Sequence, residues 1–301
     1  MKNKILTGGF MPINIFKVAL TAGVISTFGC AQKANNSSST LYSTSFSMSG
    51  SAQKTVAIHN SVEKLMSLLM PQATAAIPTN LLDSQNTPVT LDTAWIVIKE
   101  IKFKAAETAG EESEDEASEG SEFKGPYFVD LLSAQPQVLD TQAIPAKVYK
   151  RIEMKLEAAE NDSSLGWPTT APAGLANKSM YISGTFGSAT PFSFSSADGT
   201  EFKVSGAGGI QPEEGQNILM SIRFADIIRK IDLSALAGSA DKNITDSNRV
   251  SATDPCPTIE QGLSDLFTCF RKGLENEADI GKDSDGSGEI ESDEDSAKNA
   301  E

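Results

Sequence analysis

The chain has 301 residues, of which 39% are hydrophobic, 22% are charged and 7% are aromatic, and its formal net charge is −15. This apolar fraction is high enough for a packed core, which excludes wholesale disorder. The acidic balance excludes a general nucleic-acid binder, because phosphate recognition needs a basic surface. With one histidine and three cysteines, the chain has little material for a Cys/His zinc site or a histidine-based triad.

Two segments account for the net charge. Residues 107–122 contain eight acids and no base, and residues 271–301 contain eleven acids and four bases. Acidic runs of this kind usually stay solvated unless a cation gathers them. The acidity is therefore a local feature of these two segments, while the rest of the chain is balanced in charge.

Residues 1–29 have the pattern of a signal peptide. Three lysines precede or flank the apolar, acid-free run VALTAGVISTFG at 18–29. That run is too short to span a bilayer but is typical of a signal-peptide core. Met11 is an alternative start, because the residues that follow it would make a compact signal by themselves.

The signal segment ends at a cysteine. Gly29 directly before Cys30 resembles a bacterial lipobox, in which the cysteine is lipidated and becomes the mature N-terminus. Ordinary secretory cleavage near this point is the alternative. Similarity to lipoproteins that carry a residue such as Ala31 after the cysteine, rather than Asp, implies the outer membrane.

The segments that follow predict a tether and a helix. Residues 30–53 are rich in Ser, Thr and Asn, which is typical of a flexible tether. Residues 54–76 predict a short amphipathic helix, because apolar residues recur there at helical spacing before Pro71.

Residues 78–237 predict a β-sandwich, because runs rich in β-branched and aromatic residues alternate with Gly, Pro, Ser and Asn clusters. The expected strands are 89–105, 127–132, 147–158, 179–186, 190–196, 201–206 and 217–224, followed by a short helix at 225–236. Four residues of the third strand are expected on its inner face: Val148, Ile152, Met154 and Leu156. The acidic segment 107–122 is expected to be an exposed loop insertion between the first two strands.

Three short motifs occur in order within this region. They are Ala94-Trp95-Ile96, then Val129-Asp130-Leu131-Leu132, then Pro145, Ala146 and Tyr149 before an Arg151 to Leu156 strand. In this order they resemble a family of bacterial cell-surface lipoproteins whose shared domain has no assigned function. The resemblance implies a prealbumin-like or immunoglobulin-like β-sandwich and a carbohydrate or protein ligand. It carries no active-site residues.

The remaining two cysteines predict a disulfide. Cys256 and Cys269 make an even pair in a chain that we expect to be exported to an oxidising compartment. A catalytic thiol is the alternative, but neither cysteine has a histidine nearby in sequence to activate it. Residues 258–279 between and beyond them predict an amphipathic helix, with Thr258 and Gln261 as a capping box.

Residues 283–294, DSDGSGEIESDE, match the loop of an EF-hand calcium site. Asp283, Asp285, Ser287, the carbonyl of Glu289, Glu291 and Glu294 occupy its ligand positions, while Gly288 allows the turn and Ile290 fills the apolar position. Apolar residues are missing from the positions that flank an EF-hand loop. We therefore expect an isolated calcium loop, within a C-terminal unit over 250–301, and a disordered acidic tail is the alternative.

Together these features predict a lipid-anchored, non-catalytic binding or structural protein of the cell envelope, with calcium as its cofactor. Its expected partners are the membrane, through the lipid anchor, and an envelope glycan or protein, with no nucleic acid. One alternative is a calcium-dependent adhesin or assembly factor. Another is a periplasmic or surface hydrolase acting on glycan or peptide, for which no convergent carboxylate pair or activated nucleophile can be placed.

Overall fold

Two β-sheets packed over a shared apolar core form the framework of the protein. The computed structural model describes residues 40–51, 80–105, 122–133, 135–160, 166–283, 290 and 295–297. All of these lie within the unit Ser39–Glu301. The fold is mainly β, as the sequence predicts.

The elements follow one another in this order. The strands are β1 (Leu41–Ser51), β2 (Asn80–Leu82), β3 (Pro88–Ala105), β4 (Glu122–Asp130), β5 (Gln137–Pro145), β6 (Tyr149–Leu156), β7 (Met180–Phe186), β8 (Thr190–Ser196), β9 (Thr200–Ile210), β10 (Gln216–Arg223), β11 (Asn243–Ile244), β12 (Ala278–Lys282) and β13 (Asp295–Ala297). The α-helices are α1 (Phe224–Lys230), α2 (Ala235–Gly238) and α3 (Leu266–Asn276).

The two sheets differ in size. Sheet A has five strands in the order β13-β12-β10-β1-β5, and sheet B has eight, with the path β11-β8-β7-β3-β6-β9 and with β2 and β4 also paired to β3. Strand β1 runs parallel to β10 and antiparallel to β5. The remaining pairs of sheet A are antiparallel.

Strand β3 is the centre of sheet B. Its first half is flanked by β2 and β7, and its second half by β4 and β6. Ile96 and Ile98 are buried in the main core, whereas Trp95 and Val97 are buried on the other face, in a small cluster with Leu175. Burial on both faces explains why this stretch is a continuous apolar run rather than a simple alternation.

Each of the seven predicted strands overlaps an observed strand. These observed strands are β3, β4, β6, β7, β8, β9 and β10. The predicted helix at 225–236 is divided into α1 and α2. The strands that were not predicted are β1, β2, β5, β11, β12 and β13. The expected helix at 54–76 and nearly all of the acidic segment 107–122 lie outside the described residues.

The prediction of a flexible tether over 30–53 is wrong for residues 41–51, which form β1, paired in sheet A with β10 on one side and β5 on the other. Phe46 and Met48 are fully buried on the core side of this strand. The Ser and Thr residues of this strand do not prevent its formation, because hydroxyls such as those of Ser45 and Ser47 have partners: Ser47 donates to Oδ1 of Asn217 at 2.8 Å. The Ser and Thr content of residues 41–51 favoured a tether, although the alternation of large and small side chains around Phe46 and Met48 is that of a strand.

The inner face predicted for β6 is right for Ile152, Met154 and Leu156 but wrong for Val148. Val148 is 39% exposed, and its neighbour Tyr149 is buried instead. The register of the β6–β9 pair shifts between Tyr149 and Arg151. An irregularity of this kind moves side chains to the opposite face, so an alternation counted from Ile152 fails before it.

The C-terminal residues do not form a separate unit. Strand β12 extends sheet A by pairing with β10, and α3 lies so close to α1 that a Cβ at Gly273 would come within 2.8 Å of Cγ2 of Ile227. Helix α3 also stacks Phe270 on Phe194 of β8, with ring centroids 4.9 Å apart. The predicted unit 250–301 is therefore part of the same core.

The predicted helix at 258–279 is shorter than expected. It begins at Leu266 and ends at Asn276, and its N-cap is Asp265, whose side chain accepts from the Thr268 N–H at 2.8 Å. The capping box at Thr258 and Gln261 is wrong, because the preceding backbone is engaged in other bonds, such as that from Asp254 N–H to the Leu263 carbonyl. Among the helices that the structure describes, none is long and apolar enough to cross a membrane.

Candidate functional site

Asp283, the first residue of the predicted calcium loop, lies directly after β12. Its N–H donates to the carbonyl of Asn217 at 3.1 Å, and its carboxylate oxygen Oδ2 accepts from Nδ2 of Asn217 at 3.3 Å. Asn217 is itself held by Ser47, whose hydroxyl donates to Oδ1. Three adjacent strands thus orient this carboxylate, and Asp283 as a whole residue is 9% exposed. The hydrogen-bonded chain Ser47–Asn217–Asp283 was not foreseen, because its members lie far apart in sequence.

The loop begins and ends in paired strands. Strand β13 lies antiparallel to β12, with Gly281 opposite Asp295 and Ile280 opposite Ala297. The predicted helix therefore does not lead directly into the loop, because β12, which includes Gly281, lies between them. An EF-hand loop joins two helices, whereas this one joins two strands of sheet A. Its ends are brought together by backbone pairing.

Most of the predicted site residues cannot be placed. Asp285, Ser287, Glu289, Glu291, Glu294 and the lipidation candidate Cys30 lie outside the described residues. Ile290, at the apolar position of the loop, is described and is buried. Within the described ranges, no three His, Cys, Asp or Glu side chains are grouped closely enough to hold a metal ion.

Cys256 and Cys269 form the predicted disulfide. Their Cα atoms are 6.0 Å apart, and both residues are fully buried. The bond joins the first turn of α3 to the segment that precedes it. Since both sulfurs are engaged, these residues do not provide a thiol nucleophile in this state.

A buried group of ions joins three elements near the start of β12. Nη2 of Arg223 lies 3.0 Å from Glu277 and Nη1 lies 3.3 Å from Asp279, and Nε is 3.6 Å from Asp226. Lys230 also pairs with Glu277. These contacts join the end of β10, helix α1 and the junction of α3 with β12. Sequence reasoning missed this group, because Glu277 and Asp279 are more than fifty residues away from Arg223.

A cavity of about 710 Å³ lies beside Arg249. One side is formed by residues of and after α2, and the other by residues 247–251. The Arg249 guanidinium lies 5.0 Å from the centroid of the Phe267 ring and donates to the Thr268 hydroxyl at 3.2 Å. A small ligand in this cavity would meet serine hydroxyls, an amide and this half-exposed cation.

The backbone beside this cavity is strained. Val250 has φ of +52°, a left-handed conformation that is rare for β-branched residues. It is held there by hydrogen bonds from Leu266 N–H to its carbonyl and from Phe267 N–H to the carbonyl of Arg249. Strain maintained by surrounding structure is often found where a side chain must be placed for function. Here Val250 and its neighbour Arg249 both line the cavity.

Two acidic residues near the β4–β5 connection have polar partners. The Tyr127 hydroxyl donates to Asp140 at 3.1 Å, and burial together with the charge of Asp140 raises the pKa of this tyrosine. Burial raises the pKa of Asp130, while a hydrogen bond from Leu132 N–H at 3.0 Å lowers it. Asp130 is part of the Val-Asp-Leu-Leu motif, so this motif forms a strand end with a locally bonded carboxyl group.

Comparison with known families gives one match. The profile of a family described as "Domain of unknown function (DUF4382)" matches residues 74–230, from before β2 to the last residue of α1. This agrees with the resemblance to a shared domain without an assigned function. No curated protein and no solved structure matches the chain. Strands β1 and β12, helix α3, the disulfide and Asp283 all lie outside the matched region.

Proposed function

Because the chain belongs to the DUF4382 family, which is defined without a function, we propose its function from its own residues: a lipid-anchored, non-catalytic binding or structural protein of the cell envelope, stabilised by calcium in the 283–294 loop. Cys30 carries the lipid in this proposal, and the outer membrane is its location. An envelope glycan or protein is its ligand.

The anchor is supported by the residues before the domain. A basic and apolar segment of signal-peptide length ends at Gly29-Cys30, and the first strand of the sandwich begins at Leu41. The order of signal, cysteine and folded domain is that of an exported lipoprotein. The disulfide between Cys256 and Cys269 supports export, because such bonds persist in oxidising compartments.

The single observation that carries the calcium proposal is the position of Asp283. Its carboxylate is oriented by Asn217, and the two ends of its loop are paired through β12 and β13. Calcium sites lose affinity when their ligands must be gathered from a flexible chain, so a loop closed at its base has part of this entropic cost already met. Ile290, at the apolar position of the motif, is buried, which further supports the proposal.

A calorimetric calcium titration tests this proposal. The parent protein is compared with an Asp285→Ala, Glu294→Ala double variant, which removes two expected ligand positions while leaving Asp283 and its hydrogen bonds intact. Asp293→Ala is the matched control, because it removes an acid from the same loop at a position that supplies no ligand. We expect saturable binding in the parent and the control and none in the double variant. Equal binding in all three proteins would reduce the loop to a nonspecific acidic segment.

The binding role is supported by the cavity beside Arg249. Its polar lining and half-exposed guanidinium suit a ligand with hydroxyl or carboxylate groups, as envelope glycans have. Arg249→Ala removes the cation, whereas Arg229→Ala removes an arginine of similar exposure on α1. Loss of glycan binding in the first variant alone, measured on a glycan array, would support this site. Equal binding by both variants would exclude it.

A further inference from the structure

The chain between Cys30 and the sandwich is short. Strand β1 begins at Leu41, eleven residues after Cys30, and a chain of that length spans at most about 40 Å when fully extended. If residues up to 53 formed a tether, the reach would be about twice as long. The domain is therefore held near whatever Cys30 is attached to, and it is held by the end of sheet A at which β1 begins.

Leu41 lies beside an exposed turn. It pairs with Pro145 at the end of β5, and the N–H of Ala146 donates to the carbonyl of Thr40 at 2.8 Å. Leu41 is 55% exposed and Val148 is 39% exposed. We call Leu41, Lys147, Val148 and Lys150 the Leu41 surface, since all four are exposed at this end of the sandwich. Apolar side chains flanked by lysines suit the interface between water and lipid headgroups.

Val138 and the Arg249 cavity both lie far from the Leu41 surface along the strands. Val138, which is 64% exposed, is seven residues from Pro145 on β5, a separation of about 24 Å along an antiparallel strand. Strand β11 precedes the Arg249 cavity in sequence and pairs with β8. Through the pairs of β8 with β7 and of β7 with β3, it lies at the level of Thr93 on β3. Since Ala105 of β3 pairs with Tyr149 beside the Leu41 surface, that level is about 40 Å away along β3.

Resting on the proposed lipid at Cys30, we infer that the Leu41 surface lies against the headgroups of the bilayer and that the Arg249 cavity points away from it. The short connection limits how far this end can rise from the membrane, and its exposed leucine, valine and lysines match a headgroup surface. A ligand in the envelope would then approach the cavity from the side opposite the membrane.

The acidic segments leave the sandwich at this same end. The segment between Ala105 and Glu122 joins β3 to β4, and Ala105 lies opposite Tyr149. Asp283 follows β12, whose Lys282 lies opposite Ile218 near the start of β10. Their charge repels anionic headgroups, and divalent cations weaken that repulsion. The end is therefore expected to approach an anionic bilayer more closely in calcium than in a chelator.

Energy transfer to labelled headgroups tests the orientation. A fluorescent donor is placed on Val148→Cys or, as a matched control, on Val138→Cys, in full-length lipidated protein. This labelling is selective, because Cys256 and Cys269 are joined in the disulfide and Cys30 carries the lipid. The protein is reconstituted in vesicles of phosphatidylethanolamine and phosphatidylglycerol that carry acceptor-labelled headgroups, in the presence of calcium. Thermal melts check that both variants are folded.

We expect higher transfer from position 148, since it lies about 24 Å nearer the bilayer than position 138 in this orientation. Equal transfer, or higher transfer from position 138, would overturn the inference. Mass spectrometry of the N-terminal peptide separates the two proposals. An acylated Cys30 with equal transfer would contradict the orientation alone, whereas an unmodified Cys30 would contradict the anchor on which it rests.

Discussion

Asn217 binds Asp283 twice, through its backbone carbonyl and through its side-chain amide. One residue of β10 therefore fixes both the path of the chain as it leaves β12 and the direction of the carboxylate that opens the predicted calcium loop. The amide cannot rotate freely, because Ser47 of β1 donates to its oxygen. The first described strand after the proposed lipid anchor in sequence thus contributes to the proposed metal site.

Replacing Asn217 by Ala should weaken calcium binding although every expected ligand is retained. Residues that orient metal ligands typically contribute about 10-fold or more to metal affinity. The affinity is measured by calorimetric titration, with Ser45→Ala as the control, because the Ser45 hydroxyl contacts Thr141 on the other side of β1. An unchanged calcium affinity in Asn217→Ala would show that Asp283 is not a ligand oriented by this contact.

Replacing Phe46 by Ala tests whether β1 is a core strand. The Phe46 ring is fully buried and lies 5.9 Å from the rings of both Phe103 and Phe123, so its loss should lower the free energy of unfolding by about 3–5 kcal/mol. Leu41→Ala in the same strand removes a mostly exposed side chain and should change it by about 0.5 kcal/mol or less. Both values come from urea denaturation. Equal free energies of unfolding for the two variants would show that residues 41–51 are not a core strand and would support a tether instead.

Replacing Arg223 by Met should leave two buried carboxylates without their main partner. Glu277 and Asp279 are both buried, and removing one partner of a buried ion group typically costs about 3–5 kcal/mol. Arg229→Met is the control, since this arginine is about half exposed and pairs with the partly exposed Asp226. Its effect should be no more than about 0.5 kcal/mol. Similar losses in both variants, measured by urea denaturation, would contradict a special role for the buried group.

The pH dependence of stability should change in Asp130→Asn. Burial raises the pKa of Asp130 in the folded state, so the folded state holds this proton more tightly than the unfolded state. Stability from this group is therefore fully present below the unfolded pKa and is lost as pH rises through the folded pKa. The asparagine oxygen can keep the bond from Leu132 N–H, so the variant should gain thermal stability relative to the parent on going from pH 3 to pH 7. If the melting temperatures of the parent and the variant changed equally between pH 3 and pH 7, the raised pKa of Asp130 would be contradicted.

Much of sheet B could be predicted because its strands are rich in β-branched residues and end at turn-forming residues. Strand β1 could not be predicted from composition, since its serines and threonines are also typical of linkers and only Phe46 and Met48 mark its buried face. The exposure of Val148 depends on a local register shift that periodicity does not reveal. Partners such as Arg223 and Glu277 or Asn217 and Asp283 meet through strand order, which one sequence does not specify.

The disulfide was predictable for a different reason. Only three cysteines are present, and one of them ends the signal-like segment, so Cys256 and Cys269 could pair only with each other once export was assumed. The 283–294 loop was likewise predicted to bind calcium from its spacing alone. Its setting between two strands of sheet A was not, because the flanking residues match neither an EF-hand helix nor a regular strand pattern.

The central claim is that the mature protein begins at a lipidated Cys30, and the most direct measurement is the mass of the N-terminal peptide of protein purified from the envelope of expressing cells. We predict a peptide that begins at Cys30 and carries a diacylglyceryl group and a fatty acyl chain. A Cys30→Ser variant should retain an unprocessed N-terminus. A peptide that begins elsewhere without lipid, or one that keeps residues 1–29 in the parent protein, would contradict the account.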